Sequence, residues 1–153
     1  MTAFPMAFPA LFDMADSGLF TLLSTPGAVR ATLGEIGRHP VMSKLPQDAR
    51  GSAEVVLAEA LNNIVEHAYD HAGGKIELRL HRVRGMLLCD VFDTGAPMPN
   101  CEIPTGLAQS VHQTEDLPEG GFGWFLIRTL TENLQYRRIG ARNHLSFQLN
   151  IEQ

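Results

Sequence analysis

Glu59 and Asn63 stand four residues apart in EALNNIVEHAYDHAGG, residues 59–74. On a helix that spacing puts both side chains on one face. Asn63 offers a neutral oxygen suited to a hard cation such as Mg²⁺, which takes its other ligands from water and substrate phosphates. Glu59, one turn earlier, could accept the proton of an incoming hydroxyl or orient a water. A solvated helix face carries such pairs too, so this one gains meaning only beside two later stretches of the chain. In DVFDTGAPMP, residues 90–99, Asp93 ends an apolar run and Gly95 stands two residues on. A carboxylate there can meet the exocyclic amine of a purine, although Asp-x-Gly is also a common turn. In EGGFGWFLI, residues 119–127, Gly121 and Gly123 lead into a helix. Glycines at such a place let backbone N–H groups approach phosphates, and the helix dipole favours the anion. Alone, Gly-x-Gly could simply open a helix. Carboxylate, amide, Asp-x-Gly and Gly-x-Gly in this order point to ATP with a divalent metal.

The elements that must hold these residues are legible in outline. Residues 1–18 read as an irregular arm and residues 19–153 as one domain. LFTLLS (19–24) is apolar enough for a strand. Ser24 or Thr25 can cap a helix that opens on Pro26 and runs to about His39. A second helix is expected from Gln47 to about Tyr69. Val56, Leu57, Ala60, Leu61, Ile64 and Ala68 form its buried stripe, and Glu59, Asn63 and Glu66 share another face. KIELRLHR (75–82) alternates in period two. MLLCDVFD (86–93) reads as a more fully buried strand, joined to it through Arg84-Gly85. Residues 95–121, rich in proline and glycine, read as a lid. A helix from Gly123 to about Asn133 and a closing hairpin, LQYRRIG then HLSFQLNI, complete the chain. The order β-α-α-β-β-lid-α-β-β predicts an α+β fold: a two-layer α/β sandwich with a mixed, mostly antiparallel sheet. No GxxxxGK[ST] loop or βαβ repeat is present, so nucleotide binding must rest on the residues above.

The bulk properties set bounds. A chain of 153 residues can bury a core without staples. A net charge of −5 argues against a broad nucleic-acid surface, so no direct nucleic-acid partner is expected. No apolar run approaches the roughly 18 residues needed to span a membrane. Cys89 and Cys101 form no Cys-x-x-Cys pair, a usage that fits a cytoplasmic protein.

The three blocks resemble the N-box and the two glycine boxes of Bergerat-fold ATP-binding domains, shared by histidine kinases, gyrases and heat-shock chaperones. More closely, AEALNNIVEHAY, DTGAPMP and GGFGWFLIRTLTENLQY are similar to the bacterial anti-sigma-factor serine/threonine kinases. That resemblance covers roughly residues 20–150. It implies Glu59 as the general base, Asn63 as the Mg²⁺ ligand and Asp93 as the adenine-reading carboxylate. It further implies Gly95 as the turn beside Asp93, Gly121 and Gly123 as the phosphate-contacting hinge, and Ser146 as a hydroxyl supporting the adenine site. Asn62 is a second choice for the metal. His67 and Tyr69 fit the motif and equally fit helix-end packing. The resemblance also implies partners: a STAS-type anti-anti-sigma protein, a sigma factor and a second copy of the chain in a homodimer.

One departure from the family pattern stands out. Lysine and arginine are absent between Arg84 and Arg128, so the lid carries no cation for the γ-phosphate. His112 is a weak substitute, and Arg128 or a partner is the other source. The departure keeps a second expectation open: an ATP-dependent binding module that sequesters a partner without efficient phosphotransfer.

Overall fold

A computed structural model describes residues 16–69, 73–106 and 121–152. Strand β1 (Ser17–Leu23) leads into helix α1 (Pro26–Arg38), the single turn α2 (Pro40–Ser43) and helix α3 (Gln47–Asn63). A π-helical turn, Ile64–Ala68, continues α3. The hairpin β2 (Lys75–Val83) and β3 (Met86–Asp93) comes next, then a 3₁₀ turn at Pro99–Cys101, helix α4 (Gly121–Leu130) and the hairpin β4 (Glu132–Ile139) and β5 (Arg142–Asn150). The strands lie in the order β1-β2-β3-β5-β4, and every pairing is antiparallel. This is the expected α+β sandwich. Among the described residues no helix is long and apolar enough to cross a membrane.

Period-two alternation turns one face of each strand inward. Phe20 and Leu22, Ile76, Leu78 and Leu80, Leu87, Cys89 and Val91, and Leu145, Phe147 and Leu149 are all buried. They form one core with Val29 and Ile36 of α1, Val56, Leu57, Ala60 and Leu61 of α3, and Trp124 and Ile127 of α4. The outward face is only half covered. There Phe92 stacks on His144 at 4.3 Å, with the guanidinium groups of Arg79 and Arg142 over its ring. Strand β3 therefore alternates between buried and half-buried residues, where a more fully buried strand was expected, because helices cover only one side.

Local chemistry explains the boundaries. Thr25, not Ser24, caps α1: its Oγ1 accepts the Ala28 N–H, with Pro26 at the first helical position. Ser24 is buried and instead ties β1 to the start of β2, its Oγ accepting the Gly74 N–H at 2.8 Å. The unforeseen α2 is capped by His39, whose Nδ1 accepts the Val41 N–H at 3.1 Å. One turn is too short to show a period. Strand β1 begins at Ser17, inside the stretch expected to be irregular; residues 1–15 lie outside the described residues. Helix α4 spans Gly121–Leu130, shifted toward the N-terminus of the expected range. Asn133, expected to end that helix, has a positive φ of 53° and sits in a β4 bulge instead.

Candidate nucleotide-binding site

Glu59 and Asn63 occupy the last turns of α3. The Asn63 Nδ2 donates to the Glu59 backbone oxygen at 2.9 Å. A carbonyl can only accept, so that bond fixes the amide and leaves its oxygen for another partner. Asn63 is buried and Glu59 half-buried, whereas Asn62 is exposed, which favours Asn63 of the two amides. The helix then widens into the π turn. Such turns recur at functional sites because they re-aim side chains without ending the helix. Glu66, expected beside Asn63, is carried out to solvent with His67.

The π turn is where the second block docks. The Ala96 N–H donates to the Ala68 oxygen at 2.7 Å. A Cβ on Gly95 would fall 2.5 Å from that same oxygen, so only glycine permits the approach. Tyr69 adds a second fastening, its hydroxyl donating to the Lys75 oxygen and accepting the Thr94 N–H at 2.7 Å.

Asp93 sits at the inner-face end of β3 and is 6% exposed. Its Oδ1 accepts two N–H groups: Gly95 N at 2.9 Å and Asn143 Nδ2 at 2.7 Å. Burial pushes the carboxyl upward from its ordinary range. The Asn143 bond, the Gly95 N–H and the Arg138 charge each pull it down, without cancelling the rise. Asn143 faces Asp93 directly across the β3–β5 pairing. Its Oδ1 accepts from the Tyr136 hydroxyl at 2.7 Å and from Arg138 Nη1 at 2.9 Å, both on β4. Arg138 also donates to the Gly95 oxygen at 2.8 Å.

The third block closes against the first. A Cβ on Gly123 would fall 2.6 Å from Glu59 Oε2 and 3.4 Å from Asn63 Nδ2. The first turn of α4, begun by Gly121, contains no acidic residue, so an anion at that helix end would meet no like charge from the turn itself. Of the expected site residues, Glu59, Asn63 and Gly123 are thus in one place. Asp93 and Gly95 are fastened to the same helix end.

Ser146 is not brought together with them. It is paired with Asp90 on the outward face, while Asp93 points inward. Ser146 is offset by three positions from Asn143, and an odd offset on a strand reverses the face. On β5 it is Asn143, not Ser146, that faces Asp93. Counting parity from the apolar Leu145, Phe147 and Leu149 would have found it.

A family model described as a histidine kinase-like ATPase domain matches residues 22–149. The chain belongs to this family. Relatives named serine-protein kinase RsbW match it: that of Halalkalibacterium halodurans is 34% identical over 86 residues, covering 55% of this chain and 52% of its own. That of Bacillus thuringiensis is 32% identical over 84 residues, covering 54% and 52%. The chain thus spans about half the length of the curated relatives it matches. In fold it is similar to a solved structure of the RsbU and RsbW domains of a Mycobacterium tuberculosis protein. That match has a TM-score of 0.61 and 14% identity, over 88% of this chain and 32% of the other.

Next to Gly123, Trp124 is a core residue, 5% exposed. Arg128 donates to the backbone oxygens of Pro104 and Ile103, at 2.9 and 3.1 Å, and so clasps the residues after the 3₁₀ turn to α4. The rest of the expected lid, residues 107–120 with His112, lies outside the described residues.

Proposed function

We propose that the chain is an anti-sigma regulatory kinase that binds Mg·ATP and phosphorylates a serine on a STAS-type anti-anti-sigma partner. In this reading it works in the cytoplasm as a homodimer and holds a sigma factor once that partner is phosphorylated. The carrying observation is the close approach of Gly123 to Glu59 and Asn63. It puts a proton acceptor, an amide with a spare oxygen and a helix N-terminus within one small space.

The residues fit the groups they would hold. Among the described residues no cluster of three or more His, Cys, Asp or Glu could hold a metal, so a divalent ion would take Asn63 Oδ1 from the protein and phosphate oxygens from the nucleotide. Bound there, magnesium would neutralise charge on the phosphates. Gly121 and Gly123 present N–H groups to the phosphates, and Asp93 accepts from the adenine amine. As the serine oxygen bonds to the γ-phosphorus and the bond to ADP breaks, Glu59 takes the serine proton. Most of the rate gain then comes from holding the reactants in line.

Incubation with labelled Mg·ATP and the STAS partner tests this. Label should move to the partner with the native chain and not with Glu59→Ala, while ATP binding persists in both. Unchanged labelling by Glu59→Ala would remove Glu59 from the role of base. The clasp of Arg128 to Ile103 and Pro104 favours a second reading, because it occupies the nearest cation after the lid. In that reading the chain is an ATP-dependent binding module, and the same experiment yields a complex without label.

A further inference from the structure

We propose that Asn143 is the positioning residue that sets base specificity, by holding one oxygen of Asp93 so that only the other is offered to the nucleotide. This rests on the proposed role of Asp93 as the base-reading carboxylate and adds how that role is enforced. Arg138 is donor-only, so the end of the Asn143 amide that meets it must be the oxygen. The opposite end is then the NH₂ group. It faces Asp93 Oδ1 at 2.7 Å and the backbone oxygens of Gly95 and Ala96, each at 3.1 Å.

The carboxylate is thereby made one-sided. Its Oδ1 receives both the Gly95 N–H and the Asn143 NH₂, which fills its two acceptor directions. Its Oδ2 keeps its acceptor capacity. Adenine offers an amine to such an oxygen. Guanine offers a carbonyl, which sets two acceptors against each other and leaves both unpaired. Tyr136 and Arg138 belong to the same device, since together they keep the Asn143 amide from flipping. The Tyr136 hydroxyl also accepts the Met98 N–H at 3.0 Å, so the network extends into the loop after Asp93.

The test measures binding of Mg·ATP and Mg·GTP by calorimetry to the full chain and to three variants. Asn143→Asp keeps the shape and the oxygen that meets Tyr136 and Arg138, but turns an acceptor toward Asp93. It should weaken ATP binding by about 10-fold or more and reduce the ATP-over-GTP preference by a similar factor. Tyr136→Phe removes one of the two bonds that orient Asn143 and should erode the preference about 2- to 5-fold. If Asn143→Asp fails to fold, Tyr136→Phe decides the matter. A folded Asn143→Asp or Tyr136→Phe with the native ATP-over-GTP ratio overturns the assignment of Asn143. Asp93→Asn separates this assignment from the reading beneath it. If it leaves the ratio unchanged, the base-reading role of Asp93 fails and this inference with it. If it changes the ratio while the other two variants are silent, only this inference fails.

Discussion

Asp93 is held by two donors on one oxygen and raised by burial, so its charge costs stability, a cost that the proposed base-reading role accounts for. Asp93→Asn keeps the shape and lets the side-chain oxygen retain both of those bonds. It removes a buried charge and replaces the second oxygen with an NH₂ group. ATP affinity should fall on the order of 100-fold, because a donor would then face a donor. Melting temperature at neutral pH should stay level or rise. Calorimetry and a melting curve check the two halves, and a large drop in melting temperature would mean that the charge stabilises the fold. The pH dependence runs in opposite directions for the two properties. With its folded pKa above the unfolded one, Asp93 binds more protons in the native state. Its contribution to stability is therefore fullest below the unfolded pKa and is lost as pH rises through the folded value. Binding needs the ionised acceptor, so ATP affinity should fall as pH drops through that raised value, sooner than for an ordinary aspartate. Comparing native chain with Asp93→Asn across a pH series isolates this group. Equal pH slopes in the two proteins would contradict the assignment.

Two glycines show how the elements meet, and they should respond differently to the same change. An added methyl at Gly95 meets the backbone oxygen and carbon of Ala68 at 2.5 and 2.7 Å, and backbone there cannot yield cheaply. Gly95→Ala should cost about 1–3 kcal/mol of stability and loosen the loop that carries Asp93. At Gly123 the methyl meets the end of the Glu59 side chain, which can swing aside. Alanine also favours a helix over glycine by up to about 1 kcal/mol. Gly123→Ala should thus melt at or above the native temperature yet transfer phosphate more slowly, because Glu59 is displaced. Melting curves with a phosphotransfer time course separate the pair. These contacts also mark what could be read in the chain. The alternation of Ile76, Leu78 and Leu80, the Thr25-Pro26 start and the stripe from Val56 to Ile64 are local patterns, and each appears where periodicity puts it. The π turn was hidden, since one added residue leaves hydrophobic spacing nearly intact over so short a stretch. The Asp93–Asn143–Tyr136–Arg138 network was hidden for another reason. Asp93 and Asn143 are 50 residues apart in sequence, and only strand pairing makes them neighbours. Ser146 is marked in the sequence only by its hydroxyl, and parity sends it to the other face.

At the scale of the molecule, the proposed site draws its parts from both halves of the sequence and from both layers. Glu59 and Asn63 come from α3, Asp93 and Asn143 from adjacent strands, and Gly123 from α4. One core joins all these elements, as α3 packs on α4 and both bury residues against the sheet. A ligand that touches all of them binds the folded chain and has no equivalent site on the unfolded one. Its stabilisation is set by mass action and reaches about 2.7 kcal/mol at a concentration 100 times Kd. For a chain of this size that is a rise in melting temperature of roughly 5–11 °C. Mg·ATP should give a shift of this order. Chelating magnesium or substituting Asn63→Ala should cut the shift, because the phosphates lose charge neutralisation at one end of the site. Asp93→Asn should cut it from the other end. Glu59→Ala should leave it nearly whole, since a general base touches the incoming hydroxyl rather than the bound nucleotide. A shift lost with Glu59→Ala as fully as with Asn63→Ala would make Glu59 a binding residue. The phosphotransfer defect of that variant would then say nothing about proton transfer.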